Sequence, residues 1–387
     1  MSKFCAVRSE LADSRTAGHT LGEEIRGSLG ESPHALIAFA SPRYKHEELL
    51  EGLSESCRPD LLIGCSSAGE FAAQEHGHGS VSAVAIHSDT LRFAAGVGRG
   101  LRSDRASAAK AVASGFRGQS SQGFSRRAAL ILTDALAGHV EDLLGQLTLA
   151  TSGGHQFFGG GAGDDGRFQQ TQVFFGTEVL TDAVVGLEIL SKTPLGIGVG
   201  HGWEPAGRPL RVTEARGSHL VSLNSMPACE SFSLHAQETQ QTFDPRDPMP
   251  FFLHNVLGIQ SGPGYKLRVP LQVEADGSVL CAADVPEGAT VQIMRTGSDS
   301  AADAAASATR QAVKGLMGHR PGVGLFFDCA ATRLRMGAEF GLELRAVQEN
   351  LGVTRFAGCN TYGQIARSEG QLGGFHNCTA VACVIPE

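Results

Sequence analysis

The sequence has no CxxC pair, no CxxCH and no apolar run near the roughly 20 residues that cross a bilayer. The first absence removes the usual structural zinc or redox dithiol. The second removes covalent haem attachment, and the third removes a membrane span. There is no block of basic residues, and the formal net charge is −8, which argues against nucleic acid as the main partner. Met1-Ser2-Lys3-Phe4-Cys5-Ala6-Val7-Arg8 lacks the apolar centre of a signal peptide. With nine cysteines, an odd number, this fits a reducing cytoplasm. Aromatic residues are few, at 6%. Glycine is abundant, 50 of 387 residues, and hydrophobic content is an ordinary 42%. The chain is therefore expected to fold with many tight turns, in two or three domains with ample core.

One stretch organises the rest. Gly64-Cys65-Ser66-Ser67-Ala68-Gly69-Glu70-Phe71 recurs near the C-terminus as Gly358-Cys359-Asn360-Thr361-Tyr362-Gly363-Gln364-Ile365. Each copy follows an apolar run, and each is followed by a second matching run, Ser80–Ala85 against Asn377–Ala382. Glycines at both ends permit a sharp bend or a close approach. Small side chains leave backbone N–H groups open to a polar ligand. A tight strand connection needing small residues explains either copy alone; two copies point to loops facing a shared cleft.

Read in order, the chain repeats strand, helix, strand, glycine turn and paired strands. The first round runs after a polar leader: strand Ala35–Ala40, a helix from about Tyr44 to Ser56, strand Leu61–Ile63, then Ser80–Ile86 and Leu91–Val97, read as an antiparallel pair joined through Ser88-Asp89. A second round starts at Ala128, with Phe157–Asp165 in place of the Gly64 turn, and a third at Gly324. Between them lie a hairpin across Asp276-Gly277, a weakly patterned stretch from Glu230 to Pro263, and a long alanine-rich helix over Asp299–Met317. The expected fold is α/β, with mixed sheets flanked by helices and two related halves from internal duplication, divided as residues 25–224 and 225–387.

These landmarks resemble the FIST family, tandem N- and C-terminal FIST domains of bacterial sensory proteins. The likeness rests on Leu62–Glu70, Phe158–Asp165, Val184–Leu187, Gly202-Trp203-Glu204-Pro205 and Met226-Pro227-Ala228. It continues through Phe327–Ala330 with Arg333, Tyr362–Ile365 and His376–Thr379, covering nearly the whole chain. The family often has Ser-Cys-x-Gly-Arg where Asp328–Arg333 stands here, and Gly-Glu where Gly363-Gln364 stands. The resemblance implies a signal-input module for a small molecule such as an amino acid. It also implies a separate output partner, such as a histidine kinase or cyclic-dinucleotide enzyme, since no kinase or cyclase segment is present.

The candidate ligand-binding residues are Cys65, Ser66, Ser67, Gly69, Glu70, Gly160, Gly161, Asp164, Arg333, Asn360, Thr361, Gln364 and Asn377. Arg333 would pair a carboxylate bidentately. The hydroxyls and amides would supply neutral hydrogen bonds, and Glu70 or Asp164 would meet an ammonium. A salt bridge for Arg333 and turn or cap chemistry for Asp164-Asp165 are the plainer readings of those residues. No cofactor, metal or catalysis is expected. The alternatives are a haem-based nitric-oxide sensor of the same family, with His201, His219 or His376 as axial ligand, and an enzyme using Cys65 as nucleophile. A small buried thiol is the plainer reading of Cys65. His76-Gly77-His78 has too few ligands for a closed metal site. The proposed cleft between the halves would close on its ligand and alter a partner-facing surface.

Overall fold

The structure, a computed structural model, describes residues 2–77, 79–118, 121, 123–262, 264–367 and 374–387. Its elements form one unit three times over. The first comprises β1 (Lys3–Ser9), α1 (Ser14–Leu29), β2 (Ala35–Ala40), α2 (His46–Cys57), β3 (Leu62–Ser66), β4 (Glu70–Ala72), β5 (Glu75–Gly77) and β6 (Val81–His87). The second comprises β7 (Arg92–Arg99), α3 (Arg105–Ser114), β8 (Arg126–Thr133), α4 (Val140–Ala150), β9 (Gln156–Gly161), β10 (Val173–Phe175), β11 (Glu178–Leu180) and β12 (Ala183–Ser191).

The third unit opens with β13 (Gly196–Gly200) and is then interrupted by an insertion. That insertion holds β14 (Glu204–Pro205), β15 (Leu210–Arg216), β16 (His219–Leu223), β17 (Met226–Pro227), α5 (Ala228–Glu238), α6 (Met249–Phe252), β18 (Val256–Ser261), β19 (Gly264–Arg268), β20 (Pro270–Val273), β21 (Val279–Cys281) and β22 (Thr290–Arg295). The unit resumes with α7 (Ser298–Gly315), β23 (Pro321–Cys329), α8 (Ala330–Met336), α9 (Gly341–Leu351), β24 (Phe356–Thr361), β25 (Gln364–Ala366), β26 (Phe375–His376) and β27 (Ala380–Pro386).

Three six-stranded mixed sheets result, each built on a parallel pair: β2–β3, β8–β9 and β23–β24. Each unit lends its short hairpin to a neighbour. β10–β11 extends the first sheet through β3, β25–β26 extends the second through β9, and β4–β5 extends the third through β24. The exchange closes on itself, so the units interlock like a ring. The inner faces of all three sheets share one apolar core that includes Phe39, Ile63, Leu132, Val185, Phe327 and Val381. The outer faces are covered by α1 and α2, by α3 and α4, and by α7 and α9.

The glycine content has a packing cause here. A Cβ on Gly96 or Gly98 of β7 would lie 2.1 or 2.2 Å from carbonyl oxygens of α3, and on Gly196 or Gly198 of β13 1.7 or 1.8 Å from those of α7. Alanine-rich helices seat directly on glycine strands, and any larger residue would lift them off.

Several expectations change. The polar leader is β1 and α1; α1 buries Leu21, Ile25 and Leu29 with Ala17, Gly18 and Gly22 among them, so its apolar signal is thinned. β6 and β7 do not pair: β6 lies between β1 and β2, while β7 is an edge strand on β12. The Ser88-Asp89 turn therefore carries the chain from one sheet to the next. The stretch after Glu230 holds most of α5, then α6 and β18, in an inserted nine-stranded sheet with its own core around Phe232 and Phe252. The expected junction after Asn224 falls within that sheet, between β16 and β17, which are paired through Leu223 and Met226. The Asp276-Gly277 hairpin forms as β20–β21. No helix among the described residues is long and apolar enough to cross a membrane.

Candidate functional site

The glycine turns meet at one end of the ring. The Ala68 N–H donates to the Asn360 carbonyl, the Tyr362 N–H to Gly161 and the Gly163 N–H to Ser66, each at 2.9 Å. A second set runs from Asn360 N–H to Gly69 O (2.8 Å), from Gly161 N–H to Gly363 O (2.9 Å) and from Ser66 N–H to Gln172 O (2.9 Å). The three loops thus hold one another by main-chain bonds in equivalent positions. Cys65, Gly160 and Cys359 occupy the same register, facing Val173, Gln364 and Glu70 across their sheets. Cys65 and Cys359 are fully buried, and their thiols interact.

Glu70 has no exposed surface. Its Oε1 accepts from the Ser67 hydroxyl at 2.5 Å, and its Oε2 accepts from the Ser80 N–H at 3.0 Å and hydroxyl at 2.8 Å. Burial pushes its carboxyl up to about 7, against the opposing effect of those bonds. Gln364 repeats the arrangement in the third unit. With its amide nitrogen toward the Thr379 carbonyl (3.2 Å), its oxygen accepts from Cys329 N–H (3.2 Å) and the Thr361 hydroxyl (2.9 Å). Both side chains therefore clasp a turn to the strand that follows it. Glu70 and Gln364 thus perform the same task in the first and third units.

Asp164 is spent on its own loop. Its carboxylate accepts from the N–H groups of Phe168 (2.8 Å), Gln169 (2.7 Å) and Gln170 (2.9 Å) and from the Tyr362 hydroxyl (2.5 Å). Phe168 stacks on Tyr362 with ring centroids 4.5 Å apart, closing the loop over the third unit. The next residue, Asp165, has φ +57, a left-handed conformation that aspartate tolerates. Its Oδ2 accepts from the Ser41 hydroxyl at 2.9 Å, whereas Oδ1 is buried without a partner.

Arg333, on α8, lies over Gly69. A Cβ there would be 1.8 Å from its Nη1 and 2.9 Å from Asn360 Oδ1. Nη1 donates to Asn360 Oδ1 at 3.0 Å, and the guanidinium sits over the Phe340 ring at 5.6 Å. Arg333 is 6% exposed and forms no salt bridge with any described residue. Burial pulls its guanidinium down, while Glu70 and Asp165 oppose that. Asn360 Nδ2 is buried without a partner. Arg333 thus touches Asn360, whose amide N–H is unsatisfied, where the first and third units meet, and Asp165 is near enough to act on its charge. Ser66 accepts from Gln172 N–H (2.9 Å), and the Thr361 hydroxyl is committed to Gln364. Asn377 lies against the ring at Gly363, where a Cβ would be 3.2 Å from its Nδ2, and its Oδ1 is buried and unpartnered.

Asp165, read from sequence as turn or cap chemistry, and a second polar cluster are not among the candidate ligand residues. Asp328 and Glu343, each 1% exposed, interact directly, and burial raises both carboxyls. Buried atoms of Thr332 and Arg335 beside them lack partners. Asp328 stood inside a recognised motif, but nothing in the spacing marked Glu343 or Arg335.

The histidines considered as axial ligands are separately employed or exposed. His201 Nε2 is 3.1 Å from Tyr265 O, His376 Nε2 is 3.0 Å from Ala366 O, and His219 is exposed. Burial pushes His376 down to about 4. Among the described residues no three His, Cys, Asp or Glu side chains group to hold a metal; His78 lies outside them.

The chain matches the FIST N domain over residues 34–226 and the FIST C domain over residues 236–367, and it belongs to the FIST family of signal-transduction sensor domains. It is similar to an uncharacterized protein of Methanocaldococcus jannaschii, 23% identical over 315 residues. That match covers 75% of this chain and 59% of the relative, so the chain spans little more than half of the relative's length. Among solved structures, cyanuric acid hydrolase from A. caulinodans aligns over 100% of both chains at 8% identity, with a TM-score of 0.32. T. maritima PurL aligns over 99% of this chain and 72% of its own at 10% identity, with a TM-score of 0.25. Neither likeness carries weight for function.

Proposed function

We propose that this chain is a cytoplasmic signal-input protein that binds a small zwitterion, such as an amino acid, at the ring of three loops. The observation carrying the reading is the pair of buried, unpartnered atoms flanking Arg333: Asn360 Nδ2, a donor, and Asp165 Oδ1, an acceptor. A buried polar group without a partner costs about 1–3 kcal/mol, and a ligand that satisfies both recovers it. A ligand carboxylate on Arg333 and Asn360 Nδ2, with its ammonium on Asp165 Oδ1, would satisfy both. Catalysis has no support in the thiols: Cys65 has no exposed surface, and burial beside it drives the Cys359 thiol well up, away from nucleophilic character.

The signal proposed earlier as closure of two hinged halves needs another form, because the Glu70–Ala72 strand pairs with Cys359, Gly358 and Ala357 of the other end of the chain. Hinging would break that ladder. We place the response instead in the Asp164–Gln172 loop, whose exposed face at Phe168 would meet a separate output protein, such as a histidine kinase or cyclic-dinucleotide enzyme. Isothermal titration against a panel of amino acids tests the reading. Saturable binding by at least one supports it, and no heat from any member counts against it.

A further inference from the structure

Equivalent grooves open at the opposite end of the sheets, where one unit meets the next. Between the first and second units a groove of about 610 Å³ is lined by His34, Asp60, Asp89, Arg92 and Arg117, among others. Between the second and third a groove of about 590 Å³ is lined by Arg126, Arg127, His155, Leu195, Met317 and Arg367, among others. The repeat puts their walls in register. Counting back from the equivalent Cys65 and Gly160 places Asp60 where the next unit has His155. Counting back from Ala40 and Thr133, paired with Val81 and Val184, places His34 where the next has Arg127. Even the rim matches: the Thr90 N–H donates to Ser88 Oγ at 3.2 Å, and the Thr193 N–H to Ser191 Oγ at 3.0 Å.

The charges differ although the backbone is the same. The first groove mixes aspartates with arginines. No carboxylate lines the second among the described residues, in a chain whose net charge is −8. The guanidiniums of Arg126 and Arg127 form no hydrogen bond or ion pair with a described residue. Arg367 has only the Thr148 hydroxyl, at 2.8 Å, for its Nη1. His155, 6% exposed, has Nδ1 buried and unpartnered, while its Nε2 is 2.6 Å from Glu188 Oε1. Glu188 is in turn fixed by the N–H groups of Arg117 (2.6 Å) and Gly118 (2.9 Å), so the ring is held in one orientation at the groove wall. Met317, 71% exposed in a left-handed turn at φ +52, forms an apolar lip with Leu195 and Ile197 behind it.

We propose that the groove between the second and third units binds a phosphorylated small molecule of nucleotide size. Arg126, Arg127 and Arg367 hold the phosphate, since guanidinium forks match phosphate oxygens and three of them suit more than a single charge. Leu195, Ile197 and Met317 cover the organic part, and the groove volume lies in the range of small-ligand sites. None of these residues belongs to the three-loop ring, so this site stands or falls separately from it.

The test is titration calorimetry of the full chain with pyrophosphate, AMP and ATP at about 0.15 M salt. ATP or AMP is expected to bind more tightly than pyrophosphate, and the double variant Arg126→Ala/Arg127→Ala to weaken that binding by about tenfold or more. Arg92→Ala, in the equivalent first groove, leaves it unchanged. Met317→Glu, a surface substitution with no folding role, weakens it too and serves if the arginine variant does not fold. Absence of binding by all three probes, equal binding by the arginine variant, or an equal loss in Arg92→Ala would overturn the proposal.

Discussion

Cys65 and Cys359 lie far apart in the sequence yet hold the same register in two sheets, and their thiols touch in the shared core. This contact lies beside the main-chain bonds, Ala68 N–H to Asn360 O and Asn360 N–H to Gly69 O, that join the two copies of the glycine turn. It follows that both thiols are shielded while the chain is folded. Under native conditions iodoacetamide should leave both unmodified, and in denaturant both should alkylate fully, as read by peptide mass spectrometry. Rapid native labelling of Cys65 would revive the nucleophile reading and contradict this packing.

Glu70 sets part of the pH dependence of stability. Its carboxyl rises from 4.5 to about 7 on burial, so the folded chain holds the proton more tightly than the unfolded chain. That contribution is present in full below about pH 4.5 and is lost as pH rises through 7; its ceiling is about 3 kcal/mol. Asp328 and Glu343 are raised as well and act with the same sign. Glu70→Gln copies the residue already present at the equivalent Gln364. Denaturant melts from pH 4.5 to 8 should show a flatter profile for the variant, with the difference greatest above pH 7. Parallel profiles would show that Glu70 ionises freely.

A side chain at Gly69 would meet Arg333, which occupies that space. Its φ is +131, and a Cβ would fall 1.8 Å from Arg333 Nη1. Gly69→Ala should cost about 2 kcal/mol or more through backbone strain and displacement of the guanidinium. Calorimetry of the purified variant checks it, and a melting temperature equal to that of the parent would contradict it.

Asp164 and Asp165 should separate stability from binding. Asp164→Ala removes four hydrogen-bond acceptances and should lower stability by about 2–4 kcal/mol. Asp165→Asn removes a buried, unpartnered oxygen and should leave stability nearly unchanged, yet lower zwitterion affinity about tenfold or more. Chemical denaturation and titration on both variants distinguish the two roles, and the reverse pattern would assign the ammonium site to Asp164.

The sequence disclosed the repeat because strand, helix and glycine turn recur with recognisable residues, and the loops that matched do meet. It did not disclose that each hairpin pairs with a neighbour's sheet, because a local turn signal such as Ser88-Asp89 carries no information about which strand will lie alongside. α1 went unread since Ala17, Gly18 and Gly22 interrupt Leu21, Ile25 and Leu29 on its inner face and thin the apolar pattern that marks a helix. Asp164 drew attention that belongs equally to Asp165: only the fold shows that the first is consumed by Phe168, Gln169 and Gln170 while the second keeps an oxygen unused. Arg333 was legible as a lone arginine after a motif, though its seat on Gly69 was not.

The most direct test is a crystal structure of the chain with the amino acid that binds best in the titration panel. The carboxylate should lie on Arg333 and Asn360 Nδ2, with the ammonium within hydrogen-bond distance of Asp165 Oδ1. Ligand density anywhere else, with those atoms still unpartnered, would contradict the account.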